Sequence, residues 1–269
     1  MAAETDEIES PLHVVDHVSR KGYVICCQAR SGSTYLCHLL RSTRRLGLPN
    51  ELFQDPKLVR RLQGDPAAFD ALIDRASTRN GIYGLKLFPA HFEWAARLRW
   101  AERLPNLHFV YLEREDLLGQ ALSLSRAVQT RQFKASDSRA AGASYDPRLI
   151  ADCIGRLSYG AARWKGYFAR NGISPLNLTY EALVRDPQRV VDALADFLDM
   201  APPAIDPAEV RTTMQRDEVT DEWRARFIQD CGDFGYLDGG MLFSRWRGGG
   251  MASRLFLGPS ASHRRRSQD

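Results

Sequence analysis

The chain has 269 residues, of which 44% are hydrophobic and 26% are charged, and its formal net charge is +4. These values are ordinary for a globular protein, and the length suits one large α/β domain or two small ones. Part of the positive charge lies in the basic run at 263–266, so the rest of the chain is close to neutral. Composition therefore gives no support to nucleic-acid binding, and we predict no nucleic-acid partner.

The five cysteines are odd in number and show neither a Cys-x-x-Cys pair nor a Cys/His spacing typical of a metal site. Such cysteines indicate reduced thiols in a cytoplasmic protein. Residues 1–10 are acidic and lack the apolar run of a secretory signal. No apolar run is long enough to span a membrane. We therefore predict a cytoplasmic protein without a bound metal or a transmembrane segment.

After a polar lead-in over residues 1–20, apolar runs alternate with amphipathic stretches. An apolar run at 23–27 predicts the first strand, and apolar residues at helical spacing predict a helix from 34 to 44. The same criteria predict further strands at 81–88, 107–112 and 174–180. They predict further helices at 58–62, 66–76, 91–104, 117–129, 149–171, 181–184, 187–198 and 221–229.

Strands that alternate with helices predict an α/β fold with a mostly parallel central sheet flanked by helices. We predict one domain over residues 21–235 and a Gly-rich, basic tail over 236–269. In such sheets, ligands bind outside the carboxyl ends of the strands. Charged turns containing Arg30 and Arg114 follow two of the predicted strands, so we expect a nucleotide site there.

The turn between the first strand and the first helix reads Gln28-Ala-Arg-Ser-Gly-Ser-Thr34, and we call it the 28–34 loop. Backbone N–H groups at a helix N-terminus bind phosphate, and a guanidinium and hydroxyls add further donors. By itself, this pattern favours a phosphate-binding loop no more than an ordinary capped turn.

Several known motifs do not fit the 28–34 loop. It lacks the Gly-x-x-x-x-Gly-Lys-Ser/Thr of P-loop nucleoside triphosphatases, the Gly-x-Gly-x-x-Gly of dinucleotide sites and the Gly-x-Ser-x-Gly of a nucleophile elbow. The loop is therefore interpreted as a phosphate loop of another kind.

Four stretches, in this order, carry a family resemblance. They are the 28–34 loop, Gly47-Leu-Pro-Asn-Glu-Leu-Phe53, the segment 111–127, and Leu178-Thr-Tyr-Glu-Ala-Leu183 with the following Asp186-Pro187. The chain resembles the sulfotransferases that use 3′-phosphoadenosine-5′-phosphosulfate (PAPS), and it is most similar to the bacterial trehalose 2-sulfotransferase type. The resemblance covers most of residues 22–230 and implies a P-loop-like sulfotransferase fold.

The resemblance implies transfer of a sulfuryl group from PAPS to a hydroxyl acceptor without a metal. The implied acceptor is a carbohydrate, such as trehalose or a glycolipid precursor. Glu51 is the implied general base, which removes the proton of the hydroxyl. Two other functions stay open, namely a nucleotide-binding relative without activity and a kinase-like phosphotransferase. A homodimer also stays open.

The resemblance also implies which residues hold the donor. The 5′-phosphosulfate is expected at Arg30, Ser31, Gly32, Ser33 and Thr34. The Arg30 guanidinium is expected to act in catalysis as well, because it offsets the charge of the leaving phosphate.

The 3′-phosphate is expected at Arg114 and Ser123. In the family, the arginine commonly stands eight residues before the serine. Here Arg114 stands nine residues before Ser123, and Glu115 holds the eighth position.

Two further residues are candidates for the acceptor side. Lys86 stands in an otherwise apolar predicted strand. Either its amine lies near the acceptor or sulfate, or its stem packs while the amine reaches solvent. His91 follows a proline at the start of a predicted helix and is a candidate for substrate binding. His38 and His91 are also rivals of Glu51 for the role of base.

Overall fold

The computed structural model describes residues 20–65, 67–131, 142–210 and 218–234. The predicted lead-in, apart from Arg20, and the predicted tail over 236–269 lie outside the described residues.

A four-stranded sheet confirms the predicted α/β architecture. Its strands are β1 (Lys21–Cys27), β2 (Ile82–Leu87), β3 (Leu107–Glu113) and β4 (Leu176–Thr179). The strand order is β2-β1-β3-β4, and β1 pairs in parallel with both β2 and β3. All four strands lie within a residue or two of their predicted positions.

Helices connect the strands, and each predicted helix has a counterpart. In the described residues they are α1 (Ser33–Ser42), α2 (Pro56–Gly64), α3 (Ala67–Ala76), α4 (Pro89–Arg97), α5 (Trp100–Arg103), α6 (Leu117–Thr130), α7 (Pro147–Asn171), α8 (Tyr180–Arg185), α9 (Pro187–Phe197) and α10 (Glu218–Cys231). Short 3₁₀ turns at Leu52–Gln54 and Pro207–Glu209 were not predicted.

The prediction of one helix over 91–104 is wrong, because the structure divides this stretch into α4 and α5. Arg99 takes the left-handed conformation, with φ at 50°. A right-handed helix cannot continue through such a residue, so the chain ends α4 and starts a new turn.

Asp-Pro pairs explain where several helices begin. Asp55, Asp146 and Asp186 are N-caps whose carboxylates accept backbone N–H groups of the first turn, and proline follows each of them. A carboxylate satisfies N–H groups that have no partner inside the helix. Proline suits the first helical position because its missing N–H is not needed there.

The described chain forms two compact units. The first contains residues 20–27, 33–112 and 174–210, and the second contains 28–32, 113–173 and 218–234, within the described stretches. The core of the first unit packs β1 against α1 and α9, through residues such as Ile25, Leu36 and Leu194. The core of the second packs α6 against α7, through residues such as Leu122 and Leu157. A single sulfotransferase domain over 21–235 stays a prediction.

Candidate active site

The 28–34 loop has an unusual backbone. Arg30 and Gly32 both lie in the left-handed region, with φ at 61° and 82°. Glycine adopts this conformation freely, but another residue there costs roughly 1–3 kcal/mol, and such strain clusters at functional sites. The Ser31 hydroxyl donates to the Gln28 carbonyl at 2.8 Å, which tightens the turn. Helix α1 begins directly after Gly32.

Two side chains of α6 hold the first half of this loop. The Arg30 Nε donates to the Ser123 Oγ at 2.9 Å, and the Gln120 Nε2 donates to the Ala29 carbonyl at 2.7 Å. The structure thus brings together Arg30 and Ser123, to which the family resemblance assigns different phosphates of the donor. Gln120 was not among the predicted site residues.

Arg114 follows β3 and lies beside Asp116. Its Nη2 is 3.5 Å from the Asp116 Oδ2, and its side chain is 17% exposed. Asp116 also caps α6, because its Oδ1 accepts the Gly119 N–H at 2.9 Å. Arg224 of α10 donates to the same carboxylate at 2.6 Å. Sequence reasoning missed Arg224, since it stands on a distant helix outside the four family stretches.

The electrostatics of Asp116 reflect these partners. Burial by itself raises the pKa of its carboxyl group, but the Arg224 and Gly119 donors and the Arg114 charge outweigh it. The pKa of Asp116 is therefore lowered, and the group is a permanent anion that anchors both guanidinium groups near neutral pH.

The first unit holds the other predicted catalytic group, Glu51, in a buried ion pair. The Lys86 Nζ lies 2.5 Å from the Glu51 Oε1, and the two side chains are only 5% and 16% exposed. The interpretation in which the amine of Lys86 reaches solvent is therefore wrong. Both residues were singled out from the sequence, but their pairing was not.

Close backbone packing explains why Glu51 meets Lys86. Gly47 has φ at +74°, and a Cβ on it would lie 2.6 Å from the backbone N of Gly84 in β2. Only glycine lets the segment approach the strand this closely. Three residues further on, the Asn50 carbonyl accepts the Lys86 N–H at 3.0 Å. The segment therefore runs beside β2 and delivers Glu51 to the lysine.

The ion pair lies beside the first turn of α1. The Lys86 Nζ is 3.5 Å from the Thr34 Oγ1 and 5.4 Å from the ring centroid of Phe88. The Phe88 ring contacts His91 edge-on, with centroids 5.9 Å apart. Burial lowers the pKa of His91, although the Glu51 carboxylate opposes this shift. Thr34, Glu51, Lys86 and His91 thus form one polar cluster within the first unit.

Two buried thiols also surround Lys86. Burial raises the pKa of Cys27 to about 12 and that of Cys37 to about 11, although the lysine opposes both shifts. Burial alone lowers the pKa of Lys86, but Cys37, Cys27 and Glu51 reverse the effect and the pKa is raised. Since both thiols are uncharged near neutral pH, the Glu51 carboxylate is the anion that balances the ammonium.

His38 is half-buried on α1. Its pKa is lowered by burial and by the charges of Arg41 and Lys86, so the ring is mainly uncharged near neutral pH.

Other predicted features can be compared only over the part of the chain that the structure describes. There, no three His, Cys, Asp or Glu side chains cluster in a way that could hold a metal ion. Within the same stretches, no helix has the length and apolar character needed to cross a bilayer. All five cysteines are free thiols, and only Cys231 is exposed.

Comparison with known proteins identifies the family to which the chain is similar. The model of the Stf0 sulphotransferase family matches residues 22–230. A trehalose 2-sulfotransferase of Mycolicibacterium smegmatis is 27% identical over 257 aligned residues, which cover 78% of this chain and 95% of the relative. That of Mycobacterium tuberculosis is 27% identical over 253 residues, covering 76% and 93%.

Among solved structures, the sulfotransferase domain from the curacin biosynthetic pathway is 20% identical, with a TM-score of 0.43, and the match covers 74% of this chain and 80% of that one. The family match spans well over half of the chain and includes the 28–34 loop, Glu51, Lys86 and Arg114. The resemblance to sulfotransferases of the trehalose 2-sulfotransferase type is therefore confirmed, and the chain belongs to the Stf0 sulphotransferase family.

Proposed function

We propose that this sulfotransferase moves the sulfuryl group of PAPS to a hydroxyl group of a carbohydrate, with Glu51 as general base. The observation that carries the proposal is the buried Lys86–Glu51 pair beside the first turn of α1. A buried ion pair is costly to desolvate and is weak evidence for stability. Its presence in a member of a sulfotransferase family therefore favours a chemical role.

The 28–34 loop suits the 5′-phosphosulfate of the donor. It combines the strained backbone at Arg30, the guanidinium of that residue and the start of a ten-residue helix. Backbone N–H groups and the partial positive charge at a helix N-terminus attract phosphate. Arg30, Ser31, Gly32, Ser33 and Thr34 are the residues proposed to hold this group.

Arg114 is proposed to bind the 3′-phosphate, and Ser123 to assist it. Arg114 is mostly buried yet retains an exposed part, and the Asp116 carboxylate holds it in place. A guanidinium positioned in this way can form charge-assisted hydrogen bonds with a phosphate. The Ser123 hydroxyl accepts a hydrogen bond from the Arg30 side chain, and we propose that it also donates to the 3′-phosphate.

The chemistry assigned to these residues is an in-line displacement. As the acceptor oxygen bonds to sulfur, the bond from sulfur to the 5′-phosphate oxygen breaks, and adenosine 3′,5′-bisphosphate leaves. Glu51 takes the proton of the acceptor hydroxyl. Lys86 balances the Glu51 charge before this transfer. Arg30 offsets the charge that grows on the leaving phosphate, a kind of interaction worth roughly 3 kcal/mol in the barrier.

A sugar acceptor is supported by the relatives, two of which are named trehalose 2-sulfotransferases. Lys86 and His91 are the residues of this chain that we propose on the acceptor side, since both lie near Glu51. The five free thiols suit a reducing compartment, so we propose a cytoplasmic location.

Nucleotide binding tests the donor. Adenosine 3′,5′-bisphosphate at a hundred times its Kd is expected to stabilise the protein by about 2.7 kcal/mol. For a chain of this size, that corresponds to a rise in melting temperature of roughly 5–10 °C. AMP, which lacks the 3′-phosphate, is expected to give a much smaller rise at equal concentration. Differential scanning fluorimetry measures both.

The Arg114→Ala variant tests whether Arg114 recognises the 3′-phosphate. It is expected to lose most of the difference between the two nucleotides, whereas Arg170→Ala, at an exposed position late in α7, keeps it. Equal shifts from both nucleotides in the unmodified protein would contradict the proposed donor.

A further inference from the structure

Gln120 is a buried polar residue that core packing does not explain. It stands on α6 among the apolar residues Ala121, Leu122 and Leu124, and the residue is 3% exposed. Its amide donates to the Ala29 carbonyl at 2.7 Å. Burying an amide is costly unless it is hydrogen-bonded, so this contact with the 28–34 loop is what makes the position tolerable.

The carbonyl that Gln120 holds belongs to the peptide between Ala29 and Arg30. Peptide bonds are trans in the described chain. In a trans peptide the C=O and the N–H point in opposite directions. Fixing the Ala29 carbonyl toward α6 therefore fixes the Arg30 N–H on the opposite side of the loop. The left-handed backbone of Arg30 needs such support, because this conformation is strained.

One face of α6 carries three side chains that each hold a neighbouring group in place. Asp116, Gln120 and Ser123 are spaced so that they lie on the same side of the helix. Asp116 anchors Arg114, Gln120 anchors the Ala29 carbonyl, and Ser123 anchors the Arg30 side chain. The middle member acts on the loop backbone, while the outer two act on arginine side chains.

We propose that Gln120 is a positioning residue for the donor, because its amide holds the Ala29–Arg30 peptide with the N–H toward the 5′-phosphosulfate. This inference rests on the proposed function, since it assigns that group to the 28–34 loop. Gln120 contacts the loop and acts through it.

The test uses Gln120→Glu and Gln120→Met, which keep the length of the side chain but remove the donor. One misplaced donor of this type costs about 10²–10³-fold in rate, so we expect a comparable loss of sulfate transfer in both variants. Affinity for adenosine 3′,5′-bisphosphate, measured by calorimetry, is expected to fall at least tenfold. Ser125→Ala, which removes a buried α6 hydroxyl that donates to the Leu122 carbonyl of the preceding turn, is expected to retain wild-type affinity.

A pH series separates positioning from general damage. Burial raises the pKa of a carboxyl group, and the protonated form regains an O–H donor. Relative to wild type at each pH, Gln120→Glu is therefore expected to recover nucleotide affinity as the pH falls from 8 to about 5.5, above the ordinary range of exposed carboxyls. Gln120→Met has no group to protonate and is expected to show no recovery.

The amide resonance of Arg30 gives a readout that needs no ligand. In ¹⁵N-labelled protein it is expected to move in Gln120→Met and to stay in place in Ser125→Ala. An unchanged Arg30 resonance, or wild-type nucleotide affinity in Gln120→Met, would overturn the role of Gln120. If the wild-type protein itself failed to bind the nucleotide, the proposed function would fall, while the resonance would still show whether Gln120 holds the peptide.

Discussion

Replacing Glu51 with glutamine is expected to lower the rate of sulfate transfer by about 10²–10⁴-fold, because the amide cannot accept the proton of the acceptor hydroxyl. Binding of adenosine 3′,5′-bisphosphate is expected to persist, since the donor residues proposed above are unchanged. The measurement is kcat with radiolabelled PAPS, together with nucleotide affinity by calorimetry. Wild-type turnover in Glu51→Gln would rule out this residue as the base.

The Glu51→Gln variant also changes stability, because it leaves the Lys86 ammonium buried without its carboxylate partner. The double variant Glu51→Gln/Lys86→Met removes both charges and is the matched control. It is expected to regain stability but not turnover. This combination separates loss of the base from loss of the fold.

Replacing Lys86 with methionine is expected to lower the free energy of unfolding by about 3–5 kcal/mol, because breaking a buried pair leaves an uncompensated charge. Here the stranded group is the Glu51 carboxylate, which is 16% exposed. Urea denaturation followed by circular dichroism measures the loss. The thioether keeps much of the lysine stem's volume, so the effect reports on charge more than on packing.

The exposed pair of Arg20 and Asp74 supplies the comparison, with a distance of 3.0 Å. Arg20→Met is expected to cost less than about 1 kcal/mol, as surface pairs do. The cost of Lys86→Met should shrink when Glu51→Gln is also present. If Lys86→Met cost no more than Arg20→Met, the Lys86–Glu51 pair would not be the buried charged unit described here.

Most of the fold could be predicted because its signals are local. The apolar runs that became β1, β2 and β3 and the amphipathic stretches that became α7 and α9 are each visible within one continuous segment of sequence. The break at Arg99 could not be predicted in this way. Arg99 takes the left-handed conformation although the sequence there has neither glycine nor proline to signal a break.

Several residues of the candidate site were predicted from the sequence, but the contacts between them were not. Glu51 and Lys86 were both singled out, yet their pairing depends on how closely Gly47 packs on β2. Gln120 lies inside the 111–127 stretch and Arg224 lies outside all four stretches, but neither role was predicted, because both follow from which helix faces lie against the Ala29 carbonyl and Asp116. Tertiary packing decides such contacts, and a single sequence does not encode them in any short pattern.

The most direct test of the central claim is transfer of labelled sulfate by the wild-type protein. Radiolabelled PAPS would be incubated with trehalose, other sugars and simple alcohols, and labelled products would be separated by chromatography. We expect label to appear on a hydroxyl acceptor, with one adenosine 3′,5′-bisphosphate released per sulfate transferred, and we expect Glu51→Gln to form the product at least about a hundredfold more slowly. Tight nucleotide binding without transfer to any acceptor would instead indicate a family member that binds the donor but has lost the reaction.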